Sequence, residues 1–310
     1  MSARGVVVLG MHRSGTSAAA RVVNLLGVPL VSGDLLPADD ANPRGYWESE
    51  ALRRFDDELL QAVGGTWSRP PAAPDWGLAN GLRDRALSSF GAAFSGTREW
   101  VWKDPRASIT LPFWRAAFAF SPAVVLVHRD PREVAASLER RDGFTARRSL
   151  ALWERYVRSA LGAAAGLPAF VTGYEALLED PEGWSLRVAD FLRAHGLSVA
   201  GARPGEAAAF VDAGLRRSSA VDVALSAQQE ALVARLERLE GAHDGFDPGE
   251  LGPETAWAED ALVAGELADL RARLAAVEAE RDELLGSRVY RWSAPVRRAA
   301  DAVLRATGRP

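Results

Sequence analysis

The sequence predicts a three-layer α/β/α fold with a parallel β-sheet, followed by a helical appendage at the C-terminal end. Short runs of β-branched and aliphatic residues, such as residues 6–9 and 124–127, have the continuous apolar character of strands buried on both faces. Helical patterns alternate with these runs, as they do where helices connect parallel strands. From residue 259 the pattern changes to one long amphipathic segment.

Composition limits the possible classes of function. The 310 residues and 48% hydrophobic content suffice for one large α/β domain with an appendage. A net charge of −4 provides no overall basic field, so we expect no nucleic-acid partner. The chain has no cysteine, which excludes disulfides, thiolate metal sites and a cysteine nucleophile, and which fits a reducing compartment.

The N-terminal segment has no signal-peptide pattern, because a short apolar run leads straight into the first loop. No apolar run approaches the ~20 residues that a membrane-spanning helix needs. We therefore expect a soluble, cytoplasmic protein.

The first strand, residues 6–9, leads into a glycine-bounded turn and then a helix that begins at Thr16 and Ser17. This order of elements is typical of a phosphate-binding loop. The backbone amides of the turn and of the first helical turn point outward, and the helix dipole favours an anion there.

The loop departs from the nucleotide P-loop motif at one position. Gly10 and Gly15 have the separation found in that motif, and Ser17 lies where its Mg²⁺-binding hydroxyl belongs. Thr16 replaces the lysine that reaches the β- and γ-phosphates, which disfavours ATP or GTP. Arg13 places a cation inside the loop instead. Such a loop suits a single phosphate with a transferable group beside it.

Two irregular segments interrupt the alternation of strands and helices. Residues 32–47 are rich in glycine, proline and aspartate and lead into Tyr46, Trp47 and Glu48. Residues 64–80 are rich in glycine, proline and tryptophan. Helices are predicted after each segment, and the segments themselves are candidates for the acceptor side of a site.

Polar residues follow two of the later strands. The strand around Trp102 ends in Lys103-Asp104-Pro105-Arg106, and Lys103 is the only lysine among 37 basic side chains. The strand at residues 124–127 is followed by Arg129, and Ser137 lies eight residues further on, in the next helix. Ligands of α/β folds bind at the carboxyl ends of parallel strands, so these residues are candidate site residues.

The first loop, together with Arg129 and Ser137, which we call the strand-end pair, resembles motifs of the sulfotransferase family. Residues 13–17, Arg-Ser-Gly-Thr-Ser, are similar to its 5′-phosphosulfate loop, and Arg129 with Ser137 resembles its 3′-phosphate motif. An arginine fork and a hydroxyl donor are suited to phosphate oxygens. The resemblance covers roughly residues 4–220 and is closest to bacterial enzymes that act on polysaccharides, glycolipids or small metabolites.

The resemblance implies sulfonate transfer from 3′-phosphoadenosine 5′-phosphosulfate to an acceptor hydroxyl, with no metal. Arg13 would stabilise the leaving phosphate. The other donor-binding residues that it implies are Ser14, Gly15, Thr16, Ser17, Arg129, Ser137, Lys103, Arg216 and Arg217. The alternative for Arg216 and Arg217 is a solvated basic helix end.

Three residues are candidates for the base that takes the acceptor proton. Glu48 matches the glutamate used by carbohydrate-type relatives, although its interval from the loop is long. Asp104 stands where the cytosolic branch has a histidine, and His12 lies beside the loop. Structural alternatives are a helix-end charge for Glu48 and an N-cap or ion pair for Asp104.

The C-terminal region divides into a helical segment, residues 259–286, and a basic tail, residues 287–310, after a helix and linker at residues 221–258. Apolar residues of the helical segment predict a coiled coil that forms a homodimer, or one helix packed on the domain. They are Val263, Leu267, Leu270, Leu274, Val277 and Leu284. The tail contains six arginines with interleaved aromatic residues, which favours peripheral contact with the inner face of an anionic membrane.

Two rival functions remain open at this point. A P-loop kinase for a small molecule would require Mg²⁺ and ATP. A non-catalytic domain that serves coiled-coil assembly would fold without binding a donor. Acceptor identity is not encoded in a transferable motif, because acceptor pockets are built from loops.

Overall fold

The computed structural model describes residues 4–30, 35–40, 42–118, 120–199, 204–211, 220–287, 293 and 295. The chain divides into two compact units, Met1–Leu262 and Val263–Pro310. The candidate site residues that the structure describes all belong to the first unit.

The described part of the first unit contains one five-stranded sheet with strand order β2-β1-β3-β4-β5. Its strands are β1 Arg4–Leu9, β2 Glu99–Lys103, β3 Ala123–His128, β4 Ala169–Gly173 and β5 Gly241–His243. The first four strands are parallel, as predicted, and β5 runs antiparallel to β4. The predicted α/β fold with a mostly parallel sheet is confirmed.

The described residues form eleven α-helices, of which the last continues from the first compact unit into the second. They are α1 Thr16–Leu25, α2 Glu50–Ala62, α3 Arg83–Ala93, α4 Ala107–Phe118, α5 Pro131–Asp142, α6 Ala146–Ala164, α7 Tyr174–Glu179, α8 Pro181–Ala194, α9 Pro204–Phe210, α10 Ala227–Arg238 and α11 Ala258–Gly286, with a 3₁₀ helix at Trp76–Leu82. Local sequence fixes several of their ends. Ser49 caps α2, and Asp130 caps α5 with Pro131 in its first turn. Gly143 ends α5 in the left-handed conformation.

The core lies on both faces of the sheet, which explains the unbroken apolar run of β1. Val7 and Leu9 face an aromatic-rich layer, whereas Val6 and Val8 belong to the opposite layer. Alternate residues of a strand point to opposite faces, so a strand covered on both sides has no polar positions. The aromatic-rich layer includes Trp100, Trp102, Trp114, Phe90 and Phe118.

In the region predicted as a helix and linker, the helix is α10, whereas the predicted linker contains a strand. Residues 241–243 form β5, and Phe246 is fully buried with its backbone hydrogen-bonded to Gly166 and Leu167. The first compact unit continues to Leu262. The sequence Gly-Ala-His lacks the alternation that marks a strand, and pairing with β4 supplies the conformation instead.

The parallel strands bring the predicted motifs to one edge of the sheet. Val8 of β1 pairs with Lys103 of β2, and Leu9 pairs with Leu126 of β3. The segments that follow these residues therefore leave the sheet side by side. No helix in the described part of the chain has the length and apolar character needed to cross a membrane.

Candidate functional site

The loop between β1 and α1 is built on two glycines with positive φ angles, Gly10 at 146° and Gly15 at 87°. A Cβ atom at Gly15 would lie 2.1 Å from the ring of Tyr174, and one at Gly10 would lie 2.3 Å from the carbonyl oxygen of Val127. Both positions therefore require glycine for backbone conformation and for space. The loop passes close to β3 and to the start of α7.

At the start of α1, no side chain of the described residues caps the backbone amides. Gly15 is the N-cap and has no side chain that could accept from the first amides of the helix. The hydroxyl of Ser14 is buried and has no hydrogen-bond partner among the described residues. Ser108 fixes the other end of the loop, because its hydroxyl accepts from the Gly10 amide at 3.0 Å. These groups can receive an anion.

Arg13 joins the loop to the second predicted motif. Its Nε donates a hydrogen bond to Oγ of Ser137 in α5 at 2.8 Å, and its carbonyl oxygen accepts one from Nη1 of Arg129 at 3.1 Å. Arg13 itself has a φ angle of 69°, which is uncommon for a residue other than glycine. Two motifs that lie more than a hundred residues apart thus meet in one hydrogen-bonded cluster.

Arg129 is held by neighbours on three sides. Glu133, in the first turn of α5, accepts from Nε at 2.8 Å and from Nη2 at 2.5 Å. The guanidinium also lies over the ring of Tyr174, 5.2 Å from its centroid. The side chain is buried, so this cluster fixes its direction before any ligand arrives.

Lys103 connects the loop with Glu48. Its Nζ donates to the Glu48 carboxylate, to Oγ of Ser17 at 3.1 Å and to the carbonyl oxygen of Tyr46 at 3.3 Å. Burial raises the pKa of Glu48, and the positive charge of Lys103 partly offsets this effect. The only lysine of the chain therefore lies at the centre of the site.

Asp104 has a different environment. Its Oδ1 accepts from the backbone amide of Arg106 at 2.9 Å and from the Arg106 guanidinium at 3.2 Å. Asp104 is almost fully buried, and it does not line the cavity that Glu48 lines. The Arg106 guanidinium also donates to Asp57 at 2.6 Å. This arrangement matches the ion-pair alternative considered for Asp104.

His12 forms part of the cavity wall. Tyr156 donates its hydroxyl proton to the carbonyl oxygen of Trp67 at 2.9 Å, and Nε2 of His12 lies 3.3 Å from the same hydroxyl oxygen. Because the tyrosine has only one proton, we assign the proton between them to His12 Nε2, which leaves the lone pair on Nδ1. Burial, reinforced by nearby arginines and Lys103, holds the pKa of His12 well below 6.5. The ring is therefore neutral at pH 7.

These residues surround a cavity of about 370 Å³. Its lining contains seven cationic side chains and two acidic ones, Glu48 and Asp142, although the whole chain carries a net charge of −4. The cations are Arg13, Arg44, Arg53, Lys103, Arg106, Arg129 and Arg141. Such a concentration of positive charge favours an anionic ligand.

Most of the sequence-predicted residues converge on this cavity. His12, Arg13, Gly15, Thr16, Ser17, Glu48, Lys103 and Arg129 line it. Ser14, Asp104 and Ser137 are buried beside it without lining it. Arg216 and Arg217 lie outside the described residues. Among the described residues, no group of three or more acidic or histidine side chains is arranged to hold a metal ion.

Several lining residues were not identified from the sequence. Asn42 donates to Oγ of Ser17 at 3.3 Å, so the segment before Tyr46 contacts the loop directly. Trp67 stacks on Phe144 with ring centroids 5.7 Å apart, and the Arg141 guanidinium lies over the Trp67 ring, 5.5 Å from its centroid. Arg141 lies near the end of α5 and belongs to none of the motifs that the sequence analysis identified. Its role in the lining depends on the fold alone.

Comparison with known proteins gives structural matches only. No protein-family model matches the chain, and no curated protein matches it. Solved sulfotransferases are structural neighbours of this chain. The sulfotransferase domain from the curacin biosynthetic pathway is 14% identical, with a TM-score of 0.45 over 76% of this chain and 99% of that domain.

Two further neighbours give similar values. The sulfotransferase domain of the Synechococcus PCC 7002 olefin synthase is 17% identical, with a TM-score of 0.43 over 76% of this chain and 95% of its own. Sulfotransferase STF1 from Mycobacterium tuberculosis H37Rv is 19% identical, with a TM-score of 0.39 over 77% of this chain and 78% of its own. At such identities and scores, the similarity says nothing about the reaction of this chain.

Proposed function

We propose that the chain is a sulfotransferase that moves the sulfonate group from 3′-phosphoadenosine 5′-phosphosulfate to an acceptor hydroxyl. One observation carries the proposal: the loop residue Arg13 is hydrogen-bonded to both Ser137 and Arg129. The loop and the strand-end pair are the two motifs on which the resemblance to sulfotransferases depends. Arg13 and Arg129 line one cationic cavity and Ser137 is buried beside it, an arrangement that would offer a donor with two separate phosphates a place for each.

The loop residues would bind the 5′-phosphosulfate. The amides of Gly15, Thr16 and Ser17 and the buried, unsatisfied hydroxyl of Ser14 supply neutral donors. Arg13 supplies charge. Burial and the nearby Arg141 lower the pKa of Arg13, yet an arginine remains protonated at neutral pH. Arg129 and Ser137 would bind the 3′-phosphate, with Glu133 holding the guanidinium in place.

The reaction itself needs a base and a cation. The acceptor oxygen attacks sulfur, the bond from sulfur to the 5′-phosphate oxygen breaks, and adenosine 3′,5′-bisphosphate leaves. Arg13 and Lys103 would stabilise the charge that develops on the leaving oxygen.

We assign the acceptor proton to Glu48. Lys103 contacts Oε1 of Glu48, and Oε2 accepts no hydrogen bond from any residue that the structure describes. Glu48 also lines the cavity, unlike Asp104. His12 Nδ1 is the second candidate, because it carries a lone pair beside the same cavity.

The acceptor is proposed to be a hydroxyl of a glycan, a glycolipid or a small metabolite. Trp67 lines the cavity beside His12, with their ring centroids 4.9 Å apart, and Phe144, which does not line the cavity, stacks on Trp67. The Trp67 side of the cavity would suit a sugar ring or an acyl chain. Arg53 pairs with Asp57 at 2.9 Å and Arg141 with Asp142 at 2.7 Å, so two cations of the cavity lining already have acidic partners. This pairing favours an acceptor without a strong negative charge.

Three further features of the function remain proposals. Arg216 and Arg217 would close over the 3′-phosphate. The basic tail, residues 287–310, would contact an anionic membrane surface and bring the site near a lipid-linked acceptor. The helical segment before the tail would support self-association. All three concern segments beyond the described cavity.

Calorimetric titration with adenosine 3′,5′-bisphosphate without Mg²⁺, beside ATP with Mg²⁺, tests the proposal. We expect binding of the bisphosphate and its loss in Arg13→Ala, with Arg193→Ala as a control because Arg193 pairs with Asp190 on the surface. Binding of ATP alone would replace the proposal by a kinase. Binding of neither ligand would leave a non-catalytic assembly domain.

A further inference from the structure

The second unit presents an apolar stripe along one side of α11. The residues at this stripe are separated by four and three positions in turn, and they are 38% to 62% exposed. They are Val263, Leu267, Leu270, Leu274, Val277 and Leu284. Arg281 occupies the remaining position of the same seven-residue repeat. We call these seven positions the seam.

The apolar side chains of the seam are exposed along a long helix. The helix α11 has 29 residues, and single helices in water gain most of their stability from packing an apolar face. A seven-residue repeat is typical of a left-handed coiled coil, in which the first and fourth positions of each repeat pack against another helix. The spacing therefore calls for a helical partner with the same repeat.

Charges beside the seam match a second copy of the same helix. One edge carries Glu266, Arg273 and Glu280, and the other carries Arg271 and Glu278. In a parallel pair in register, Glu266 faces Arg271 of the second copy and Arg273 faces Glu278. In an antiparallel pair with Leu274 opposite Val277, Arg273 faces Glu280 and Arg271 faces Glu278. Opposite charges meet in both directions.

Arg281 limits the number of helices that can share the seam. A guanidinium at a seam position can extend its stem along the apolar surface and keep its charge in water when only two helices meet. A bundle of three or more helices would enclose several such charges at a larger desolvation cost. A pair is therefore the assembly that this position tolerates best.

We propose that two copies of this chain associate through the seam as a two-stranded coiled coil. The apolar repeat supplies the contact, the alternating charges favour the same sequence as partner, and Arg281 restricts the assembly to two strands. This inference goes beyond the proposed sulfotransfer and does not depend on it.

The mass of the full chain in solution tests the proposal. Light scattering coupled to size-exclusion chromatography should give twice the mass of one chain. Leu274→Glu places a charge in the middle of the seam and should halve the mass. Ala272→Glu places the same charge on the opposite side of the helix and should leave the mass unchanged. A monomeric parent chain, a higher oligomer, or dissociation by both variants would overturn the proposal.

Cross-linking provides a readout that does not depend on loss of assembly. The chain has no cysteine, so a single introduced thiol reports only on its own position. Residue 274 faces its own copy in the parallel pair and residue 277 in the antiparallel pair. With an added oxidant, Leu274→Cys should form a disulfide-linked dimer in the parallel pair, and the double variant Leu274→Cys/Val277→Cys should form one in either direction. Ala272→Cys is the control and should remain largely unlinked. Efficient cross-linking of Ala272→Cys, or none in Leu274→Cys/Val277→Cys, would contradict a coiled-coil pair.

Discussion

Nε of Arg13 donates a hydrogen bond to Oγ of Ser137 over 2.8 Å, which joins the first loop of the chain to helix α5. The same loop residue accepts a hydrogen bond from Arg129 through its carbonyl oxygen. The loop cation is therefore positioned by residues proposed to bind the other phosphate of the donor. Binding at the two phosphates should be energetically coupled, because both depend on the position of Arg13.

The first prediction concerns the binding of adenosine 3′,5′-bisphosphate to this cluster. Arg13→Ala removes a charged donor and should weaken binding by about 10- to 100-fold, since hydrogen bonds to charged groups contribute roughly 1.5–3 kcal/mol. Ser137→Ala removes a neutral hydroxyl and should weaken it by about 3- to 10-fold. Calorimetry of the single variants and of the double variant measures both effects. A double variant whose loss equals the sum of the single losses would argue against coupling.

The second prediction separates the candidate bases. Glu48→Gln should lower kcat by about 10²- to 10⁴-fold, the usual contribution of a general base, while bisphosphate affinity changes little. Asp104→Asn is the matched control, because the same chemical change falls on a carboxylate bonded to Arg106 and outside the cavity lining. Steady-state kinetics with any accepted hydroxyl substrate measures the two variants. If Asp104→Asn removes kcat and Glu48→Gln does not, the assignment is reversed.

The third prediction concerns pH. Burial raises the pKa of Glu48 above its ordinary value of 4.5, and only the ionised carboxylate can take a proton. The rate should therefore fall as the pH is lowered through this raised pKa, and it should level off above it. A pH–rate profile of the parent chain shows this acidic limb, and Glu48→Gln should remove it.

His12 supplies the control for the pH profile. The pKa of His12 is held well below 6.5, so a histidine base would also lose activity on the acidic side. His12→Gln keeps a hydrogen-bonding side chain beside Tyr156. The acidic limb should persist in this variant if Glu48 is the base. Its disappearance there, with a normal limb in Glu48→Gln, would assign the proton to His12.

The fourth prediction tests the shape of the loop. Gly15 and Gly143 have similar φ angles, 87° and 70°, so alanine at either position costs about 1–2 kcal/mol of backbone strain. Only at Gly15 does the new methyl group meet a neighbour, the ring of Tyr174 at 2.1 Å, whereas nothing lies within 4 Å at Gly143. Gly15→Ala should therefore abolish bisphosphate binding, and Gly143→Ala should only lower the unfolding midpoint. Equal affinity of the two variants would show that the loop tolerates a side chain.

Local sequence was sufficient to predict the main sheet and the segments that follow its strands. The apolar run of β1, the glycines at positions 10 and 15, and the polar ends of β2 and β3 predicted a parallel sheet with a phosphate-binding edge. The parallel sheet and the glycine turn were predicted correctly because each depends on a few neighbouring residues: side-chain periodicity decides the element, and a positive φ angle requires glycine. Phosphate binding at this edge stays a prediction. Arg129 follows β3 and Ser137 lies in the next helix, so their relation depends on neighbouring segments and could also be predicted from the sequence.

Only the tertiary structure decided which side chains share the cavity. Sequence left Glu48, Asp104 and His12 as alternatives, and packing placed Glu48 against Lys103 while it turned Asp104 toward Arg106. It also brought Arg141 and Trp67 into the lining and added β5 to the sheet edge. The physical reason is that a side chain's direction and burial depend on contacts between segments far apart in the chain. Neither residue type nor local spacing records such contacts.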